Sequence, residues 1–282
     1  MADTHVHYYR TEYAAGTFWS AAVSNLSRAA RQAGVESPIA RVLCLTERED
    51  CHAFAEWAER GRVGIDHGGA VETAGAPWCL AVHGLPGDDP VYVIAGRQIA
   101  TRERLEVAAL CTLEPFADGM PFEETVAAVT AAGAVAVVPW APGKWWGVRG
   151  RQVDQLARNQ TGKLALGDSA TRPRGWRTPA QLRRHRAAGG VVLAGSDPYP
   201  LPGEERRVGT YATVWTAPEA SRSPADLCRA VFHPDSAGAL RWAGHRRDPG
   251  SWARAMWRYR KAAARRAAGA ELAPDRERRA AR

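Results

Sequence analysis

Two histidines one residue apart, His5 and His7, open the chain in the run Asp3-Thr-His5-Val-His7. On a β-strand, residues two apart share a face, so both imidazoles would address one point. That is the start of a metal site; the alternative is two histidines satisfied by hydrogen bonds. A second signal is Gly195-Ser-Asp197, where the apolar run from Val191 ends in small residues and presents a carboxylate. A carboxylate there can ligate a metal or take a proton from water activated by one, or it can cap a turn. In the third, Leu164-ALGDSATRPRGW, Asp168 also follows an apolar run, with Arg172 and Arg174 close behind. Arginine forks suit phosphate or carboxylate, unless the loop charges are simply solvated. In the fourth, Val138-PWAPGKWWG, three tryptophans (Trp140, Trp145, Trp146) and Lys144 share a loop. The rings form either a ligand platform or a cover over the core.

Strands alternating with helices must position these residues. Short runs rich in Val, Ile and Leu begin at Arg41, Val91, Leu105, Ala134, Leu164 and Val191. Their continuous apolarity predicts parallel strands covered on both faces. Between them, Trp19, Val23 and Leu26 mark a helix over 17–32, and 122–133 reads as a helix closed by Gly133. Such alternation implies a parallel α/β architecture, as an open sheet or a closed barrel. Neither common glycine-rich nucleotide fingerprint is present.

The chain has 282 residues, 45% hydrophobic and 24% charged, so it can bury a core and is not a disordered protein. Five scattered cysteines without a C-x-x-C argue against a disulfide framework and for a reducing, cytoplasmic setting. No signal peptide is expected, and no apolar stretch reaches the ~18 residues of a membrane span. The net charge of +8 is uneven: residues 241–282 hold thirteen basic against four acidic side chains, a net of +9, which leaves −1 for the first 240. Trp252, Met256 and Tyr259 share one face of a helix there, with Arg254, Arg258 and Lys261 off that stripe. This predicts a helix docked by its aromatic face, followed by a frayed tail beyond Gly269. Nucleic-acid contact through the basic C-terminus ranks behind the other readings because the body is nearly neutral.

Taken in order from about Asp3 to Tyr211, these segments resemble the PHP (polymerase and histidinol phosphatase) domain family. Asp3-Thr-His5-Val-His7 is similar to the family's D-x-H-x-H, and Val42-LCLTERED resembles a second-strand motif ending T-D-H. Val93-IAGRQIATRERLEVAAL resembles P-G-x-E-I-T…G-x-H-V, Ala132-GAVAVVPWAP resembles G-G-x-x-x-x-A-H-P, and Val192-LAGSDPYP resembles G-S-D-A-H. The resemblance implies a distorted (β/α)7 TIM-like barrel whose strand ends hold up to three metals for phosphoester hydrolysis. Several family ligands are replaced: a histidine by Arg48, a bridging glutamate by Gln98, further histidines by Glu106, near Trp140 and by Tyr199. His5, His7 and Asp197 survive, with Glu106 as a substitute oxygen ligand.

The resulting expectation is a barrel over 1–235 with a basic helical extension over 236–282. Function is expected to be metal-dependent hydrolysis, foremost of a phosphoester. One divalent metal (zinc, manganese or iron) would be held by His5, His7, Asp197 and Glu106. Asp168 and Asp197 would do the proton chemistry, and Arg48, Gln98, Trp140, Lys144 and Arg172 would hold a small anionic substrate. The alternative is a catalytically inactive relative that binds an anionic ligand or a protein partner.

Overall fold

The structure, a computed structural model, describes residues 1–35, 39–87, 89–216, 223–233 and 239–280. The expected domain boundary at 235/236 lies outside the described residues. The fold is mixed α/β, with two sheets and seven α-helices among the described residues.

Strand β1 (Ala2–Val6) is buried along its whole length inside a seven-stranded sheet. It pairs in parallel with β2 (Arg41–Leu45), which pairs in parallel with β5 (Val91–Ile94). Beyond β5 lie β4 (Cys79–His83) and β3 (Ala70–Thr73). On the far side of β1 come the antiparallel β11 (Tyr211–Val214) and β12 (Arg241–Gly244). The second sheet has the order β10-β9-β8-β7-β6, built from β6 (Gly96–Ala100), β7 (Glu106–Leu110), β8 (Val135–Pro139), β9 (Leu164–Ser169) and β10 (Val192–Gly195).

All six predicted strands form. β8, β9 and β10 are parallel as expected, but β7 runs antiparallel to both its neighbours. The connection explains the β6 pairing: residues 101–105 are too short for a parallel crossover, which needs a dozen residues or more. Thr101 N–H instead donates to Leu105 O at 2.9 Å and closes a hairpin.

Among the described residues no single closed sheet is present; two seams join the sheets. At one, Glu47 N–H donates to Gly96 O (3.0 Å) and Gln98 N–H to Glu47 O (2.8 Å), linking the end of β2 to β6. At the other, Thr4 Oγ1 donates to Ala194 O (3.1 Å) and Asp197 N–H to His5 O (2.9 Å), linking β1 to β10. Each seam needs a glycine. A Cβ on Gly96 would lie 2.5 Å from Leu45 O, and one on Gly195 would lie 2.5 Å from His5 Cβ.

The long helix α1 (Ala15–Gln32) buries Phe18, Trp19, Val23 and Leu26 against the first sheet, the stripe expected from its spacing. Helix α2 (Ala53–Arg60) adds Phe54 and Trp57 to that layer. Against the second sheet pack α3 (Phe122–Ala131), α4 (Gly147–Asn159) and α5 (Ala180–Ala187). Trp140 and Trp145 lie in this core, so their indoles cover strand ends and do not form a ligand platform; Trp146 is exposed. Between β11 and β12 runs α6 (Pro224–Ala230). The last helix, α7 (Pro249–Ala280), continues through the segment expected to fray, in keeping with its Ala- and Arg-rich composition. Trp252 packs on Trp176 and Tyr259 stacks on Tyr199, with ring centroids 5.4 and 5.3 Å apart.

Asp168 and Arg172 meet as a bidentate ion pair in the interior. Arg172 Nε donates to Oδ1 (2.8 Å) and Nη2 to Oδ2 (2.6 Å), and Tyr211 OH also donates to Oδ2 (2.9 Å). Both side chains are buried. Removing one partner of such a pair leaves an uncompensated charge and costs about 3–5 kcal/mol. Arg172→Ala should therefore lower unfolding stability in urea by that amount, with Asp168→Leu/Arg172→Met losing less. A loss under about 1 kcal/mol, as for an exposed pair, would contradict the assignment.

Candidate metal centre

His5 lies on β1, His7 directly follows it, and Asp197 follows β10, so the β1–β10 seam decides whether they meet. Asp3 builds that seam. Its buried carboxylate accepts Ser196 N–H through Oδ1 and Gly209 N–H through Oδ2, both at 2.8 Å. Asp197 then takes a positive φ of 47° as its N–H turns back to His5 O.

The three side chains converge. His5 Nε2 and His7 Nε2 are 3.1 Å apart, and each lies 3.7 Å from Asp197 Oδ1. A triangle with those edges has its centre about 2 Å from every corner, the bond length of zinc to imidazole nitrogen or carboxylate oxygen. Among the described residues this is the one group of histidine, cysteine and carboxylate side chains gathered closely enough to hold a metal ion. Burial, reinforced by His5, lowers His7 to a pKa of about 3, so its ring is neutral and its nitrogen free to ligate. Ser169 Oγ donates to Asp197 Oδ2 at 2.9 Å and turns the other oxygen toward the histidines. Tyr9 stacks on His7 with centroids 5.4 Å apart. The donor set therefore fits a divalent cation with three protein ligands and an open position.

His7 and Asp197 form part of the wall of a 610 Å³ cavity that also takes in Arg48, Gln98, Glu106 and Lys144. Six of the ten sequence-predicted residues thus share one cavity, with His5 just behind it. Glu106, expected as a fourth ligand, is instead engaged by the Lys144 ammonium and by Gln98 Nε2 (3.2 Å). It stands outside the ligand group. Asp168 and Arg172 are committed to each other in the interior, and Trp140 to the core, so these three stand apart from the site. Arg48 sits at the mouth, Nε 3.7 Å from Asp50, both side chains solvent-exposed.

Sequence reasoning missed part of the wall: Tyr9, Glu49 and Asp118, with Met256 and Tyr259 from α7, and it read Tyr199 only as the replacement of a family histidine. The aromatic stripe of α7 was readable, but nothing in its spacing says that it covers a cavity. Ser169 and Thr171, whose hydroxyls share a 2.6 Å hydrogen bond beside Asp197, were also legible only as loop residues.

No family model matches the chain, and no curated protein matches it. Among solved structures, PsfC from Pseudomonas syringae superposes with a TM-score of 0.46 at 18% identity, over 78% of this chain and 83% of that one. A two-domain protein from Bacteroides vulgatus, described as containing a predicted PHP-like metal-dependent phosphoesterase, gives 0.46 at 12% identity, over 86% of this chain. The match covers 64% of that protein, just under two thirds of its length.

Burial raises Asp3 from 3.8 to a pKa of about 6. Between those values the folded protein holds the proton more tightly than the unfolded chain. The stability this lends is complete below about pH 4 and lost as pH rises through 6, on the order of 3 kcal/mol for Asp3. In metal-free protein, the stability of wild type should therefore fall relative to Asp3→Asn as pH climbs from 4 to 6. Parallel pH profiles from chemical denaturation would contradict this.

Proposed function

We propose that the chain is a metal-dependent hydrolase, foremost a phosphoesterase, using one divalent cation held by His5, His7 and Asp197. The observation that carries this is the triangle of donor atoms opening into the 610 Å³ cavity. The ordered set of PHP-like motifs supports the phosphoester as substrate class. The run β1-β2-β6-β7-β8-β9-β10, joined at its two seams, supports reading the body as a distorted seven-stranded barrel over 1–235, with 236–282 as an extension that first adds β12 to the body's sheet and then forms α7. The free thiols of Cys44, Cys51, Cys79 and Cys111 suit a cytoplasmic setting.

A divalent cation supplies Lewis acidity, drawing charge from a phosphoryl oxygen and lowering the pKa of water to about 7. The remaining work belongs to side chains. Arg48 holds an anionic group of the substrate at the mouth. Met256, Tyr199 and Tyr259 wall off solvent. Of the two carboxylates expected to accept a proton, Asp197 faces the cavity and Asp168 does not. One metal suffices, because Glu106 is already answered by an ammonium and an amide and has no charge left for a second cation.

Charge also orders the events. Five carboxylates, Glu49, Asp50, Glu106, Asp118 and Asp197, line the cavity against two cations, Arg48 and Lys144. An anionic substrate therefore needs the cation in place first.

The test is to load purified protein with zinc, manganese or iron and follow p-nitrophenyl phosphate hydrolysis beside bound metal. About one equivalent should bind. His7→Ala should lose metal and more activity than the ~10–100-fold typical of outer-shell changes, while staying folded. Folded wild type that takes up no metal would overturn the hydrolase reading and leave the inactive anion-binding protein.

A further inference from the structure

Helix α7 has two faces of opposite character. Its inner face, with Trp252, Ala255, Met256 and Tyr259, is occupied by the body of the protein. On the outer face Arg254, Arg258, Lys261 and Arg265 follow one another at intervals of four, three and four residues. That spacing places one cation per turn in a single row, about 16 Å long. Residues 249–270 contain six basic side chains and no acidic one. Among the described residues, no ion pair engages Arg258, Lys261 or Arg265; Arg258 donates to the backbone of Pro202 (3.0 Å). Trp257 stands within the row, 62% exposed, with Lys261 Nζ 4.9 Å above its ring. A shallow groove of 330 Å³ runs beside Trp257, Arg258, Lys261 and Arg265, backed by Leu201.

Trp257 offers an exposed ring face beside a cation. A row of regularly spaced cations around one aromatic platform complements a strand of regularly spaced phosphates carrying bases. We propose that this face binds single-stranded nucleic acid, with the phosphate backbone along the arginine and lysine row and a base stacked on Trp257. A bilayer fits less well. Interfacial helices bury a broad apolar face, and here that face already lies on the protein, leaving Trp257 as the one large apolar side chain exposed on the outside among the helix's described residues. The site is independent of the metal centre, which lies beyond the inner face of the same helix.

The experiment is fluorescence anisotropy of a labelled, mixed-sequence DNA single strand of about 16 nucleotides, titrated with the full chain over a salt series. Four phosphate contacts predict a log–log salt slope of about −3. Lys261→Gln/Arg265→Gln should reduce the slope by about 1.4. Trp257→Ala should weaken binding at least fivefold with the slope unchanged. His7→Ala should bind like wild type, which separates this face from the cavity. Absence of binding at low salt, or binding that ignores the Lys261, Arg265 and Trp257 variants, would overturn the proposal. So would tighter binding to anionic phosphatidylserine vesicles that depends on the same residues, which would make the face a membrane surface.

Discussion

The close approach of β1 to β10 is the constraint on which the site depends. The two strands belong to different sheets, and they come together because one Asp3 carboxylate oxygen accepts Ser196 N–H just past β10, while the other accepts Gly209 N–H ahead of β11 in its own sheet. The missing side chain at Gly195 lets the backbone pass against His5. Ionising a carboxylate there is expensive, as its raised pKa of about 6 shows. Three polar contacts nevertheless hold the seam, and it brings two imidazoles from one sheet to a carboxylate attached to the other.

The second seam works differently. Glu47 joins β2 to β6 through its own backbone, and its side chain accepts Phe54 N–H at the start of α2 (3.1 Å). The opposite wall of the cavity follows from it. Gln98, on β6, reaches Glu106, on β7, and Lys144 completes that cluster from the loop after β8. The cavity is thus asymmetric. A compact ligand triangle sits on the β1–β10 side, and a self-neutralised group of ammonium, carboxylate and amide sits on the other. This asymmetry is the physical basis for proposing a single metal.

What could be read from the residues depended on whether the signal was local. His5 and His7 share a face because strand periodicity is two, and no tertiary information is needed. The six apolar runs and the α1 stripe were legible for the same reason. Asp168 and Arg172 misled because a carboxylate four residues from an arginine reads the same whether solvated, catalytic or buried; only packing shows that they neutralise each other inside. Trp140 misled likewise, since a tryptophan in a loop sequence gives no sign that the loop lies over the core. Glu106 was placed on the correct strand. Its partner Lys144, thirty-eight residues away, redirected it. The β6–β7 hairpin was lost because Gln98 and its neighbours are too polar to read as a strand.

His5, His7 and Asp197 are proposed to hold one divalent metal together. X-ray absorption at the metal edge tests it most directly, on wild type and His5→Ala loaded with the same ion. The account predicts a first shell of imidazole nitrogen and oxygen at about 2.0–2.1 Å if the ion is zinc, with imidazole scattering reduced in the variant. A shell of oxygen or sulfur alone, or one that His5→Ala leaves unchanged, would contradict it.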